Sequence, residues 1–156
     1  MGKEESAQYK SVHARLSAYV REHDMRESMV RDMVLMQICQ LQQPFTAEQL
    51  KAACASERIS KGSIYNALNL FIAAGIIHEY DRRIGQTVTE YELITSARSH
   101  MQIVCRNCGR RTNFNDKAIM RLVNERKYSN FTAQRFTLVV YGECKVCRRK
   151  LLSNMK

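Results

Sequence analysis

The 156-residue chain has one proline, almost no acid beyond position 92, and no apolar run near the ~20 residues that a bilayer span requires. Each scarcity excludes something. With no long apolar run, and an N-terminal MGKEESAQYK that lacks a hydrophobic signal region, the sequence predicts a cytoplasmic protein with no membrane partner. A reducing compartment keeps thiols available for metal rather than for disulfides. The scarcity of acid is regional. Residues 93–156 carry 14 Lys/Arg against 3 Asp/Glu, a net of +11, whereas residues 1–92 carry 11 against 12, a net of −1. The overall +10, with a pI near 9.6, points to an anionic partner, most simply nucleic acid. That surplus sits in the C-terminal half, which any DNA-binding reading must accommodate.

Four of the six cysteines form two CxxC knuckles, Cys105-Arg-Asn-Cys108-Gly109 and Cys144-Lys-Val-Cys147. Two such knuckles let four sulfurs converge tetrahedrally on a closed structural zinc, one Zn²⁺ per chain. All four ligands are then protein, so no position is open for water and the ion is a staple rather than a catalyst. Cys39 and Cys54 lie among apolar helical residues and read as small buried hydrophobes.

Periodicity predicts helices over 9–22 and 28–41, the second with Ser28 as N-cap and Met29, Met33, Met36 and Cys39 as a core stripe. Pro44 breaks the chain, Thr46 caps a helix to about Ala55, and Ser60 or Gly62 leads into another that stops at Gly75. Ile76–Tyr80 and Thr87–Leu93 read as a hairpin around Gly85, so residues 1–94 have the plan of a winged helix-turn-helix. After a linker over 96–99, strands at 101–105 and 110–114 flank the first knuckle. A helix over 116–127 follows, with Ile119, Leu122 and Val123 inward, and then a strand over 131–141. The fold class is α+β: a winged helix-turn-helix, then a small α/β zinc-stapled domain over 95–156. At that size the second domain needs the zinc and a second copy of itself for stability.

These features in this order resemble the ferric uptake regulator (Fur) family of dimeric metal-sensing repressors. The resemblance is carried by Thr46-Ala-Glu-Gln-Leu50, Ser63-Ile-Tyr-Asn-Ala-Leu-Asn-Leu-Phe71, Ala74-Gly-Ile-Ile77, Tyr91-Glu-Leu93, His100 with the first knuckle, and Val140-Tyr-Gly-Glu-Cys144 with the second. It spans about residues 12 to 148 and implies a homodimer binding a palindromic, A·T-rich operator in double-stranded DNA. Its Thr-Val-Tyr-Arg reading signature matches Ser63, Ile64, Tyr65 and Asn66. Tyr65 is suited to a thymine methyl, and Ser63 and Lys61 to phosphates. Asn66 suits adenine, without the charge of the usual arginine. Arg26, Arg31, Arg82 and Arg83 are further backbone-contact candidates.

The sensor positions depart from the family. Its hinge-spanning site maps to Pro44, Glu92, His100 and Gln102, of which only Glu92 and His100 keep ligand chemistry for Fe²⁺ or Mn²⁺. Its second site maps to Ser99, Met101, Met120 and Phe136, none a usual ligand for those ions. The expectation is a repressor in iron, metal or haem homeostasis with an atypical or lost regulatory site. Control passes to zinc alone, to haem through His100, Met101 or a cysteine, or to thiol oxidation. The alternative reading is a zinc-thiolate redox sensor whose DNA binding is lost on oxidation. A hydrolytic enzyme is excluded, since no metal shell has an open position and no nucleophile–base pair stands out.

Overall fold

The computed structural model describes residues 3–80, 85–95, 99–133 and 135–155. They fall into two compact units, one built from residues up to 80 and from Thr87–Thr95, the other from residue 99 onward.

In the first unit, α1 (Lys3–Glu22) and α2 (Met29–Gln40) precede a two-residue strand β1 (Phe45–Thr46), α3 (Ala47–Ala53), α4 (Lys61–Ala73), β2 (Ile77–Tyr80) and β3 (Glu90–Leu93). The strands pair antiparallel in the order β1-β3-β2. Local chemistry sets the helix starts. Ser28 Oγ accepts the Arg31 N–H and Ser60 Oγ accepts the Ser63 N–H. Thr46 and Gln49 form a reciprocal capping box, each side chain accepting the other's backbone N–H. At the end of α4, Gly75 takes φ 64° while the Gly75 and Ile76 N–H groups bond back to Ile72 and Phe71. That is the Schellman arrangement, which a Cβ at Gly75 would resist.

The core of this unit joins Val12 and Leu16 of α1, Val34, Leu35 and Ile38 of α2, and Leu50, Ile64, Leu68 and Phe71 of α3 and α4 to Phe45, Ile77 and Tyr91 of the sheet. Two polar side chains lace its edges. Arg15 donates to the Ile94 and Gly75 carbonyls, both at 2.6 Å. The Gln43 amide donates to the Ile38 and Leu41 carbonyls and accepts from the Leu93 N–H. Phe71→Ala is expected to destabilise this unit by about 3–5 kcal/mol, and Thr46→Ala by about 1 kcal/mol. Urea unfolding of the two variants checks the order, and a reversed order would remove Phe71 from the centre of the core.

In the second unit, β4 (Ser99–Cys105) is central, antiparallel to β5 (Arg111–Asn113) and parallel to β6 (Phe136–Gly142), with α5 (Lys117–Glu125) in the β5–β6 connection. Asp116 caps α5 by accepting from the Ala118 and Ile119 N–H groups. A last helix, α6 (Lys145–Asn154), follows the second knuckle.

Five expectations need correction. The methionine stripe of α2 is not core: Met29 is 80% exposed, and Val34, Leu35 and Ile38 are buried instead. The segment MVRDMVLMQIC is apolar around much of its circumference, so periodicity could not choose the inner face. Leu122 of α5 is 72% exposed, because this unit offers it no covering layer. The strand expected over 131–141 begins only at Phe136, and the one expected from Thr87 begins at Glu90. The polar linker expected over 96–99 ends sooner, since Ser99 already pairs with Phe136 in β4–β6. Residues 96–98 lie outside the described residues.

Candidate metal centre and nucleic-acid interface

The first knuckle leaves the end of β4 and the second leaves the end of β6, so parallel pairing of these strands brings the two CxxC turns together. The Cys105 N–H bonds to the Arg110 carbonyl, the Arg106 N–H to Gly142, and the Gly109 N–H to Cys105 at 2.8 Å, with Gly109 at φ 72°. Asn107 Nδ2 donates to Glu143 Oε1 at 2.6 Å, a tie between the two turns that sequence reading missed. Cys144 sits at the N-cap of α6 and Cys147 in its first turn.

The four sulfurs lie within 4.8 Å of one another, with Cys105–Cys147 at 3.9 Å and Cys108–Cys144 at 3.8 Å. A tetrahedron of thiolates around Zn²⁺ has S···S edges of about 3.8 Å, given a Zn–S bond near 2.3 Å. A disulfide would need about 2.0 Å, and all four cysteines are free. The residues therefore fit a four-thiolate zinc. Backbone N–H groups from Cys108 and Cys144 draw the Cys105 thiol down to about 6, and that of Cys147 lowers Cys144. Cys147 is instead pushed up to about 12 by the adjacent Cys144 side chain, since four crowded sulfurs cannot all ionise without a cation. A divalent ion removes that repulsion and displaces the protons. Cys54 is buried and Cys39 partly so, and burial raises both thiols, Cys39 to about 11, as inert packing cysteines.

The proposed reading residues share α4. Lys61, Tyr65 and Asn66 are exposed and Ser63 is partly so, with the Lys61 ammonium 5.8 Å from the Tyr65 ring centroid. A groove of about 380 Å³ runs beside them, lined on the α4 side by Ser63, Asn66, Ala67 and Leu70 and on the other by Met25, Ser28, Val30 and Arg31. Arg26 is exposed next to it. Arg82 and Arg83 lie outside the described residues.

Of the residual sensor candidates, Glu92 carries a side-chain hydrogen bond. The Glu92 carboxylate accepts the Tyr80 hydroxyl within the β2–β3 pair, where Glu92 stands opposite His78. Gln102 is 2% exposed, and its amide donates to Asn113 Oδ1 at 2.7 Å. His100 lies on β4 opposite Thr137, and Met101 beside it is buried. Among the described residues, the four cysteines are the one group of three or more metal-capable side chains that converges.

The model of the Ferric uptake regulator family matches residues 22–141, most of the chain. The protein belongs to the ferric uptake regulator family. Members of this Fur family are transcriptional regulators, and the protein is not an enzyme. The ferric uptake regulation protein of a Vibrio cholerae serotype O1 strain is 33% identical over 112 residues, covering 67% of this chain and 72% of its own. The manganese-bound ferric uptake regulator of Pseudomonas aeruginosa superposes with a TM-score of 0.58 at 23% identity, over 83% of this chain and 97% of its own. The Helicobacter pylori regulator, described as having three functional metal-binding sites, gives 0.55 at 20% identity, over 90% and 93%. At those identities the two structures speak for the Fur fold alone. No helix among the described residues is long and apolar enough to cross a membrane.

Proposed function

We propose that the protein is a homodimeric repressor of metal or iron homeostasis. In this reading Cys105, Cys108, Cys144 and Cys147 hold one structural zinc per chain, and binding to a palindromic operator does not require Fe²⁺ or Mn²⁺ at the family's hinge site. The state of the hinge positions is the observation that carries the reading. Pro44 offers no side-chain ligand atom, Gln102 brings only a neutral amide whose Nε2 donates to Asn113, and the Glu92 carboxylate already accepts the Tyr80 hydroxyl on one oxygen. His100 alone does not make a selective site for a hard divalent ion.

The residues to 94 form the DNA-binding domain and 95–156 the dimerisation domain. The exposed Leu122, Ile103 and Val140 of the second unit support a partner face on it, since apolar groups of this size gain by being covered. The zinc orders the knuckles and does no chemistry beyond that. Tyr65 and Asn66 read bases, while Lys61, Ser63, Arg26, Arg31, Arg82 and Arg83 position the duplex.

The test is fluorescence anisotropy of the zinc-loaded protein on an operator selected from genomic DNA. Tyr65→Ala is expected to weaken operator binding about tenfold while leaving non-specific duplex binding unchanged, as the loss of a base contact should. Equal weakening on both duplexes would remove Tyr65 from base reading.

A further inference from the structure

We propose that Arg31, from α2, supplies the phosphate-gripping guanidinium that α4 lacks, so that the groove between the two helices seats one DNA backbone phosphate beside Asn66. The proposal rests on the DNA-binding reading above and gives one residue a defined partner and role.

The exposed positions in the first three turns of α4 are Lys61, Gly62, Tyr65, Asn66 and Asn69. Lys61 is the one cation among them, and its ammonium stands over the Tyr65 ring. Asn66 offers an amide without charge, enough for a base edge but weak on a phosphodiester. A reading helix with so little charge needs a cation from a neighbouring element to hold the strand it reads.

Arg31 is placed for that. It lines the same groove as Asn66, with Ser28 and Ser63 as its other polar neighbours and Met25 and Val30 as an apolar lip suited to deoxyribose carbons. Ser28 opens α2, so the positive, amide-rich end of that helix also borders the groove. The guanidinium is poorly served in its resting position. Its Nη2 donates to the Arg26 carbonyl, while Nη1 is buried with no hydrogen-bond partner among the described residues. An unmade bond on a buried charged donor is unfavourable, so the side chain gains by turning onto an anion. Arg31 also lines a smaller cavity of about 60 Å³ with His13, Glu27 and Asp32. There Asp32 is held by His13 at 3.3 Å, which lessens its competition for the guanidinium. A phosphodiester presents two oxygens to the planar fork of arginine, the bidentate match that lysine lacks.

The experiment is a salt titration of the zinc-loaded protein on its operator and on a random duplex, for wild type, Arg31→Gln, Arg31→Lys, and Arg31→Gln combined with Asn66→Arg. For Arg31→Gln we expect about a tenfold loss on both duplexes and a log K against log salt slope flatter by about 0.9, the value for one phosphate. Arg31→Lys keeps the slope while losing affinity, and Asn66→Arg restores the slope in the Arg31→Gln background. A single methylphosphonate at the seated position costs the wild type the same factor and costs Arg31→Gln nothing further. An unchanged slope in Arg31→Gln, or a loss confined to the operator, overturns the proposal. If Arg31→Gln fails to fold, absence of rescue-like retention in Arg31→Lys, seen as a flattened slope there too, overturns it as well. Wild type that binds no duplex refutes the DNA-binding reading itself, whereas wild type and Arg31→Gln binding alike refutes only the seat.

Discussion

Cys105→Ser is expected to release the zinc, melt the second unit and abolish tight operator binding, while the first unit stays folded. The asymmetry follows from where the cores are. The first unit buries a connected cluster running from Val12 to Leu93, with Phe45, Phe71 and Leu35 fully enclosed. Among the described residues, the second unit buries Met101, Gln102, Val104 and Cys105 and little else. Domains are stable by only about 5–15 kcal/mol, and structural zinc contributes about 10–16 kcal/mol in small zinc-dependent folds. A unit with so small a core cannot lose that contribution and remain ordered. Thermal unfolding, zinc content and sedimentation of Cys105→Ser against a Cys39→Ser control provide the check. The control should behave as wild type, since Cys39 is remote from the cluster in sequence and its thiol is raised to about 11. Retention of one zinc per chain and an unchanged melting profile in Cys105→Ser would refute the staple.

The pH dependence has a definite sign. Zinc binds thiolates, so each proton the cluster holds competes with the metal, and zinc affinity falls as pH is lowered. Cys105, drawn down to about 6, gives up its proton first, and Cys147, pushed up to about 12, surrenders its proton only to the ion. Peroxide separates the two readings of this centre. Loss of operator binding that thiols and zinc together reverse would favour the redox sensor. Unchanged binding under oxidant that leaves the metal in place would favour the staple alone.

The winged-helix unit was legible because its signals are local. Ser28, Thr46 and Ser60 announce helix starts by chemistry that operates within three residues, and Gly75 announces a stop by its own backbone. The cysteine cluster was legible because two knuckles of that spacing have few other uses. What was not legible depended on tertiary choice. The α2 methionines and the Val34, Leu35 and Ile38 face both satisfy a helical period, and only packing against α1 and α4 decides between them. Leu122 has the spacing of an inward residue, yet inward has no meaning until a partner face exists. The α6 helix lies beyond the last element read from the sequence, although nothing in Lys145–Asn154 opposes helix formation. Glu92 and Gln102 looked like ligand positions, one retained and one lost, and their partners Tyr80 and Asn113 lie 12 and 11 residues away, across strand pairs that a motif cannot reveal.

Adding Fe²⁺ or Mn²⁺ to the zinc-loaded protein is expected to change its operator affinity less than about twofold, whereas metal-coupled regulators typically gain about 5–150-fold from an effector. The reason is the donor count. A selective site for a hard divalent ion needs several oxygen or imidazole ligands held together, and the matched hinge positions supply two such residues, one of them, Glu92, engaged by Tyr80. The converse experiment is sharper. Pro44→His with Gln102→His adds two imidazoles at the positions the family uses, and Tyr80→Phe frees the Glu92 carboxylate. The triple variant should acquire a metal response of about tenfold or more on the same operator, with zinc content unchanged. Losing the Gln102–Asn113 bond costs some stability in β4 and β5, about 1 kcal/mol for one neutral hydrogen bond, and Gln102→Leu serves as the control for that cost. A wild type that binds its operator only with added Fe²⁺ would overturn the lost-sensor reading. A triple variant that folds, keeps its zinc and ignores the metal would show that the hinge positions no longer bear on DNA binding, and the regulatory signal would then have to act elsewhere, with the thiol centre the first place to perturb.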